Sequence, residues 1–400
     1  MLDESVWQEL CERNGPEFVE RVHIPGLIHR PDVIADLILE AVRAATTRVD
    51  DNDRDLPTMR AFRGTCLDYD ASERLMSGAF PGSSPRARSG RGGRSELHSW
   101  LSDRGGNDDI CLAINAVESW DAELAELLYT RFIVPLESAG VPLTRGVDWY
   151  CFVAGTGTTP FGVHTDPEPS FIFNLGPATK TAWTWPKSRL SVLNHGRPRT
   201  LDAEPLLPTA DSACLAPGDF LLIPAGMYHL FRNDGPSMFL GLTVYPEDPE
   251  QTASEALFHQ MRRRSARHNS GTRAASDPVA GALGAFREVL RDDSVERAVE
   301  RGAMLRRSCG YGSPPRFPDR TSDQGPPYIV TRLPIVMAGQ SVFALGRELS
   351  VDLGGLADLL KPGAVVGADE LRDAATTPER EAAVHALIRV GVLRSVGTPS

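Results

Sequence analysis

Lysine is nearly missing from this 400-residue chain: of 42 basic residues only Lys180, Lys187 and Lys361 are lysines. Basic excess is missing too. The formal net charge is −11, so the counterion-releasing surface that nucleic-acid binding requires is not expected, and a basic protein or peptide is a more natural partner. No apolar run approaches the roughly 20 residues of a membrane span. The opening MLDESVWQEL lacks the basic-then-apolar layout of a signal peptide, and a cytoplasmic protein without a membrane partner is expected. No C-x-x-C pair occurs among Cys11, Cys66, Cys111, Cys151, Cys214 and Cys309, which argues against a zinc knuckle or a disulfide framework and for reduced thiols.

What is present describes a globular chain: 400 residues, 41% hydrophobic and 24% charged, are enough for one large domain plus one or two smaller ones. Residues 16–45 read as a short strand, a Pro-Gly turn and an amphipathic helix opened by Pro31 and Asp32. Residues 81–107 are rich in Gly, Ser and Arg, with too little apolar surface to offset their ordering entropy. They are expected to form a loop, either a disordered insertion or a lid that touches substrate. After a helix over 119–140 the texture changes to short apolar runs broken by Gly and Pro, including DWYCFVAG, FIFNLG, KTAWTWP, DSACLAPGDFLLIPAG, HLFRN and SMFLGLTVYP. That density of strands and turns points to a β-sandwich or jelly-roll barrel. Beyond about 250 helical spacing returns over 251–268 and 281–307, with Phe286, Val289, Leu290, Val295 and Leu305 as candidate buried positions. A Pro-rich run over 311–327 reads as a linker. In the last 70 residues or so a strand around SVFALGREL, short helices near 354–361 and 368–376, a helix over 378–390 and a closing strand VLRSV are compatible with a winged helix.

Two motifs carry chemistry. In FGVHTDPEPSFIFNLG, His164 and Asp166 stand two apart, a spacing that on a strand aims both at one side and lets them meet one ion. In GDFLLIPAGMYHLFRN, the residues Gly218, Pro224, Gly226, His229 and Asn233 fit G-x5-P-x-G-x2-H-x3-N, in which Pro224 and Gly226 turn the chain and His229 enters a strand facing the interior. A buried structural histidine is the competing reading of His229. Two histidines and one carboxylate on one side of an ion make the facial triad of non-haem Fe(II) oxygenases, with adjacent positions left open.

The second motif resembles a signature of the cupin superfamily, and H-x-D with a distal His is similar to the JmjC-type Fe(II)/2-oxoglutarate oxygenases within it. The pattern is closest to bacterial and ribosomal-oxygenase-type hydroxylases, where a strand leads through a Gly-rich turn to H-x-D, as WYCFVAGTGTTPFGVHTD does here. The resemblance implies a double-stranded β-helix (a mainly β, jelly-roll catalytic domain with flanking helices) over 1–248. It further implies a helical region over 249–310 that could dimerise, a linker over 311–327, and a small α+β winged-helix-like domain over 328–400. It implies Fe(II) held by His164, Asp166 and His229, with 2-oxoglutarate and O2 as co-substrates.

The far carboxylate of 2-oxoglutarate calls for a buried cation. Lys180, sixteen residues past His164, is expected to supply it, Lys187 being the substitute and a solvated strand residue the plainer reading. Tyr150, Thr159, Trp183 and Trp185 lie on or beside strands expected to face the cavity, where a hydroxyl would bond the cofactor carboxylate and an indole would wall the pocket, with ordinary core packing the alternative for each. Asn233 either bonds near the metal or closes a turn. The implied activity is hydroxylation of an unactivated C–H, since halogenating relatives lack the carboxylate that Asp166 retains. The implied substrate is an amino-acid side chain of a ribosomal protein or of a ribosomally made peptide. Two other classes stay open: a metal cupin acting on a small molecule, as oxygenase or isomerase, and a non-catalytic interaction protein built on residues 250–400.

Overall fold

The computed structural model describes residues 2–14, 17–46, 59–70, 72, 110–193, 199–268, 284, 287, 294–316, 327–339 and 341–396. The loop expected over 81–107 and the positions Phe286, Val289 and Leu290 lie outside the described residues. Two compact units result. The first comprises Met1–Pro142 and Val147–Tyr245 and takes in residues 312–316; the second comprises Leu143–Gly146, Pro246–Tyr311 and the chain beyond 319.

Two antiparallel sheets make the first unit. In chain order its strands are β1 (Val22–Ile24), β2 (Met59–Arg63), β3 (Cys66–Leu67), β4 (Ile110–Asn115), β5 (Val147–Ala154), β6 (Gly157–Thr158), β7 (Val163–His164), β8 (Ser170–Pro177), β9 (Lys180–Trp185), β10 (Arg199–Thr200), β11 (Asp211–Leu215), β12 (Phe220–Ile223), β13 (Tyr228–Asn233) and β14 (Ser237–Val244). The large sheet runs β1-β12-β8-β14-β5-β4-β2-β3, and the small one runs β10-β7-β13-β9-β11 with β6 beside β13. This is the expected β-sandwich with flanking helices. The run DSACLAPGDFLLIPAG is broken into β11 and β12 at Gly218, whose φ of 96° suits glycine and whose place beside the Ile28 carbonyl leaves no room for a Cβ.

Helices cover the outer face of the large sheet. Helix α1 (Glu4–Asn14) sets Trp7, fully buried, edge-on to Phe132, Phe171 and Phe220, and its indole donates to the Phe132 carbonyl at 3.0 Å. Helix α2 (Pro31–Thr46) begins at the proline expected to open it, which already lacks an N–H where the first turn has no use for one. The helix expected over 119–140 is instead a 3-10 turn (Val117–Trp120), α3 (Ala122–Leu128), a π turn (Tyr129–Ile133) and α4 (Val134–Ser138). Asp121 ends the 3-10 turn and caps α3 by accepting from the Leu124 amide. Beside the 3-10 turn the buried Glu118 accepts from the Ser313 amide at 2.8 Å, and the Arg316 amide donates to the Ser119 carbonyl. Part of the stretch expected to be a free linker is thereby fixed to the first unit.

In the second unit α5 (Pro249–His268) and α6 (Ser294–Ser308) fall where helices were expected, with Val295 and Leu305 half-buried. The C-terminal part holds two three-stranded sheets. SVFALGREL, read as one strand, is a hairpin of Ser341–Ala344 and Arg347–Ser350, because Leu345 and Gly346 both adopt positive φ and turn the chain. Helices Ala368–Ala374 and Pro378–Val390 and the strand Leu393–Ser395 follow. Among the described residues no helix is long and apolar enough to cross a membrane, and no disulfide joins any cysteine pair.

Candidate metal centre

The register of β13 on β7 sets His229 opposite His164, with ring centroids 4.2 Å apart. Asp166 Oδ1 lies 4.0 Å from His164 Nε2, and Oδ2 lies 3.5 Å from His229 Nε2. One ligand atom from each of the three lies within 4.8 Å of the others. The expected route for Asp166, a strand ladder shared with His164, is not the one observed. Strand β7 ends at His164, and a loop brings the carboxylate in, clasped by the Gly226 amide donating to the Asp166 carbonyl at 2.7 Å. Ser170 Oγ donates to Asp166 Oδ2 at 3.4 Å.

Both imidazoles are oriented by their own backbone. His164 Nδ1 lies 3.0 Å from the Gly162 carbonyl and His229 Nδ1 lies 3.2 Å from that of Met227. A carbonyl only accepts, so each Nδ1 carries the proton and each Nε2 keeps its lone pair for a cation. Burial, reinforced by His164, pushes the pKa of His229 down to about 4 against the pull of Asp166, and the ring is neutral at pH 7. Two imidazoles and a carboxylate on one side of a point suit a six-coordinate divalent ion with open positions better than a closed tetrahedral zinc site.

The triad opens into a cavity of about 250 Å³ between the sheets. The strand registers give it two ends. Along the large sheet, Asp148 pairs with Thr243, then Tyr150 with Gly241, Phe152 with Phe239, and Ala154 with Ser237. Along the small sheet, His229 pairs with Thr184, Phe231 with Ala182, and Asn233 with Lys180. Ser237 Oγ donates to Asn233 Oδ1 at 3.0 Å and closes the deep end. The outer end holds the half-buried Asn115, Asp148, Thr243 and Tyr245.

Most of the expected residues collect here. Thr159 is buried on the cavity wall and its hydroxyl has no hydrogen-bond partner among the described residues, so it is able to donate to a ligand oxygen. Tyr150 lines the cavity too, its phenol pKa raised by burial and by Asp166. Its ring lies so close over Gly241 that a Cβ there would meet ring carbons at 2.2 Å.

Lys180 is 1% exposed, which excludes the solvated reading. Its ammonium donates to Asn233 Oδ1 and sits 4.8 Å from the centroid of Phe239, behind the cavity wall. Burial pulls its pKa down to about 8, opposed by Cys111, Cys151 and Asp234. Asn233 therefore belongs to the lysine rather than to the metal, four residues along β13 from His229. Lys187 is exposed on the helix Lys187–Leu193.

For the two indoles the packing alternative holds. Trp183 and Trp185 do not wall the cavity: side chains alternate along β9, so with Lys180, Ala182 and Thr184 facing in, both indoles face out. Trp185 packs with Val163, Leu190 and Tyr228, and Trp183 lies under the Arg232 guanidinium at 5.1 Å. The sequence also gave no sign of Arg60 and Asn115, which line the cavity from β2 and β4. Their strands lack a clean alternation and pair across a long stretch of intervening chain. Asp148 and Phe161, lining residues as well, were within reach: Asp148 shares the parity of Tyr150 on β5.

No protein-family model matches the chain, and no curated protein matches it in sequence. Among solved structures it is similar to the Escherichia coli ribosomal oxygenase YcfD, with a TM-score of 0.52 at 15% identity, covering 98% of each chain. A second structure of E. coli YcfD gives a TM-score of 0.52 at 17% identity, covering 97% of each chain. YcfD in complex with cobalt and 2-oxoglutarate gives 0.51 at 14% identity, covering 96% of this chain and 97% of that one. The β-sandwich with flanking helices expected from the JmjC-type resemblance is thus consistent with the fold found.

Proposed function

We propose that this chain is an Fe(II)- and 2-oxoglutarate-dependent oxygenase that hydroxylates an unactivated C–H of an amino-acid side chain in a protein or peptide. The convergence of His164 Nε2, His229 Nε2 and one Asp166 oxygen within 4.8 Å carries the reading. The unpartnered Thr159 hydroxyl on the cavity wall, and the buried Lys180 behind that wall, support it. The likeness in fold to YcfD, described with cobalt and 2-oxoglutarate, agrees with the choice of cofactor.

Fe(II) bound by the triad would supply the oxidising chemistry, in which O2 and the 2-oxo acid are consumed, succinate and CO2 are released and the substrate gains a hydroxyl. The chain's own part is to hold and to exclude. His164 and His229 give nitrogen donors in a fixed tautomer, and Asp166 supplies the one anionic ligand. The Thr159 hydroxyl donates to a cofactor carboxylate. Lys180 turns from Asn233 to neutralise the distal carboxylate, because a dianion in a buried site draws in the one lysine close to it. Phe152, Phe231 and Phe239 line the cavity and keep bulk water from the reacting groups.

A side chain of a ribosomal protein is the substrate that the YcfD likeness favours, and a ribosomally made peptide has the same chemistry. We place the enzyme in the cytoplasm, with residues 250–310 as a dimerisation region and residues 328–400 as a winged-helix-like partner module. The test is succinate formation from 2-oxoglutarate with Fe(II), joined to a mass-spectrometric search for +16 Da peptides in lysate. Succinate absent in wild-type protein, or unchanged in His229→Ala, would sink the reading.

A further inference from the structure

The outer end of the cavity carries a cation that neither the metal nor the 2-oxo acid uses. Arg60 leaves β2 beside Ala113, and its Nη2 donates to Asn115 Oδ1 at 3.0 Å. Asn115 Nδ2 donates in turn to Asp148 Oδ2 at 3.2 Å. This relay fixes the guanidinium with an amide between it and the carboxylate, and Asp148 still feels the cation: burial pushes its pKa up, and the Arg60 charge pulls against that larger push. Arg60 Nε is buried and has no hydrogen-bond partner, on a residue that lines the cavity. A buried donor left unmet weakens the fold, and its retention is accounted for when a ligand oxygen completes it.

Position along the sheets separates this cation from Lys180. Lys180 pairs with Asn233 at the deep end, whereas Asn115 pairs with Tyr150 and Asp148 with Thr243 at the outer end. His229, paired to Thr184, stands four residues along β13 from Asn233, and Arg60, which pairs with Ala113, reaches the outer end through its bond to Asn115. A 2-oxo acid reaching from the metal to Lys180 leaves the Arg60 end for the other reactant. Asp148 and Glu168 line the cavity as carboxylates, so an anion is not drawn there diffusely and recognition rests on the guanidinium fork.

We propose that Arg60 is a substrate-binding residue whose guanidinium, held by Asn115 and Asp148, receives a carboxylate or carbonyl oxygen of the substrate and so places the neighbouring C–H at the metal. The proposal rests on the 2-oxoglutarate reading of the same cavity. It assigns the substrate a feature rather than a name: an oxygen acceptor close to the carbon that reacts.

Protein loaded with Co(II) and with N-oxalylglycine, a 2-oxoglutarate analogue that fills the deep end, is titrated with 13C-acetate and, separately, with 13C-acetamide. Paramagnetic relaxation of the probe by Co(II) is the readout. Saturable relaxation is expected in wild-type protein, weakened about tenfold or more in Arg60→Gln. Arg60→Lys, which keeps charge but not the fork, should fall between and serves if Arg60→Gln fails to fold. The Co(II) absorption spectrum and N-oxalylglycine affinity should stay unchanged in either variant. Response to acetate alone assigns a free carboxylate, and response to acetamide as well assigns a peptide carbonyl. Equal titrations in wild-type protein and the foldable variants, or no saturable relaxation by either probe, would overturn the proposal while leaving the oxygenase reading intact. Failure of wild-type protein to take up Co(II) would overturn both, and shows in the spectrum before any probe is added.

Discussion

The Gly226 amide donates to the Asp166 carbonyl at 2.7 Å, so the turn that delivers His229 is tied to the loop that carries the carboxylate ligand. Gly226 has a φ of 73° with ordinary contacts around it. Gly226→Ala is therefore expected to strain backbone rather than packing, costing about 1–2 kcal/mol. Because the strained bond links two ligands, Co(II) affinity in Gly226→Ala should fall further than that of an equally destabilised variant remote from the site. Urea titration and Co(II) absorption, measured together, check this.

Lys180 sets a pH dependence of opposite sign for stability and for binding. Burial lowers its pKa to about 8 from an ordinary 10.5, so as pH falls from 10.5 to 8 the unfolded chain takes up a proton that the folded one does not. The cost to folding grows over that window and is constant below it. Lys180→Met should be more stable than wild type at pH 7, by up to about 3 kcal/mol, with the advantage shrinking above pH 8. The same variant should lose 2-oxoglutarate binding. In wild-type protein that binding should weaken as pH rises through about 8 and take up a proton above it, which calorimetry in buffers of different ionisation enthalpy measures.

Gly241 is glycine because Tyr150 occupies the place of its side chain. Gly241→Ala is expected to cost about 1–3 kcal/mol by overpacking and to push the phenol into the cavity, raising KM for 2-oxoglutarate or substrate. The double variant Gly241→Ala with Tyr150→Ala should cost less than the sum of the two single changes. Additive costs would show that the ring moves away without strain.

Glu118 gives stability a slope at neutral pH. Burial, against hydrogen bonds from Ser313, raises its pKa to about 8 from an ordinary 4.5. Between those values the unfolded chain ionises while the folded one stays protonated, so stability from this group falls as pH rises from 4.5 to 8 and is lowest above 8. Glu118→Gln keeps an oxygen for the Ser313 amide and should flatten the slope in denaturant melts at pH 5, 7 and 9.

The convergence of the candidate triad was legible because a few residue types at fixed spacing, Gly218, Pro224, Gly226, His229 and Asn233, encode a turn and a strand whose chemistry is local. Lys180 was legible through scarcity. Trp183 and Trp185 were left open between cavity and core although strand parity alone would have placed them, since they alternate with Lys180. Arg60 and Asn115 were not legible at all. Arg60 sits on a strand that meets its partner only after a long intervening segment, Arg60 opposite Ala113, and pairing at that distance leaves no periodic trace in either strand. The hairpin at Leu345 and Gly346 was missed because a leucine at positive φ is not a residue from which a turn is read.

Strand β13 carries His229, Phe231 and Asn233 on one face: a proposed metal ligand, a cavity wall and the partner of Lys180. Because strand faces alternate with a period of two, a single-residue deletion within β13 would turn part of that set outward at once. Under the proposed reading, no graded route then exists by which to lose the 2-oxo acid and keep the metal. Drift among descendants of this sequence should spare β13 in length while varying its outward residues, and a copy with a shortened β13 should be read as a scaffold that has left catalysis altogether.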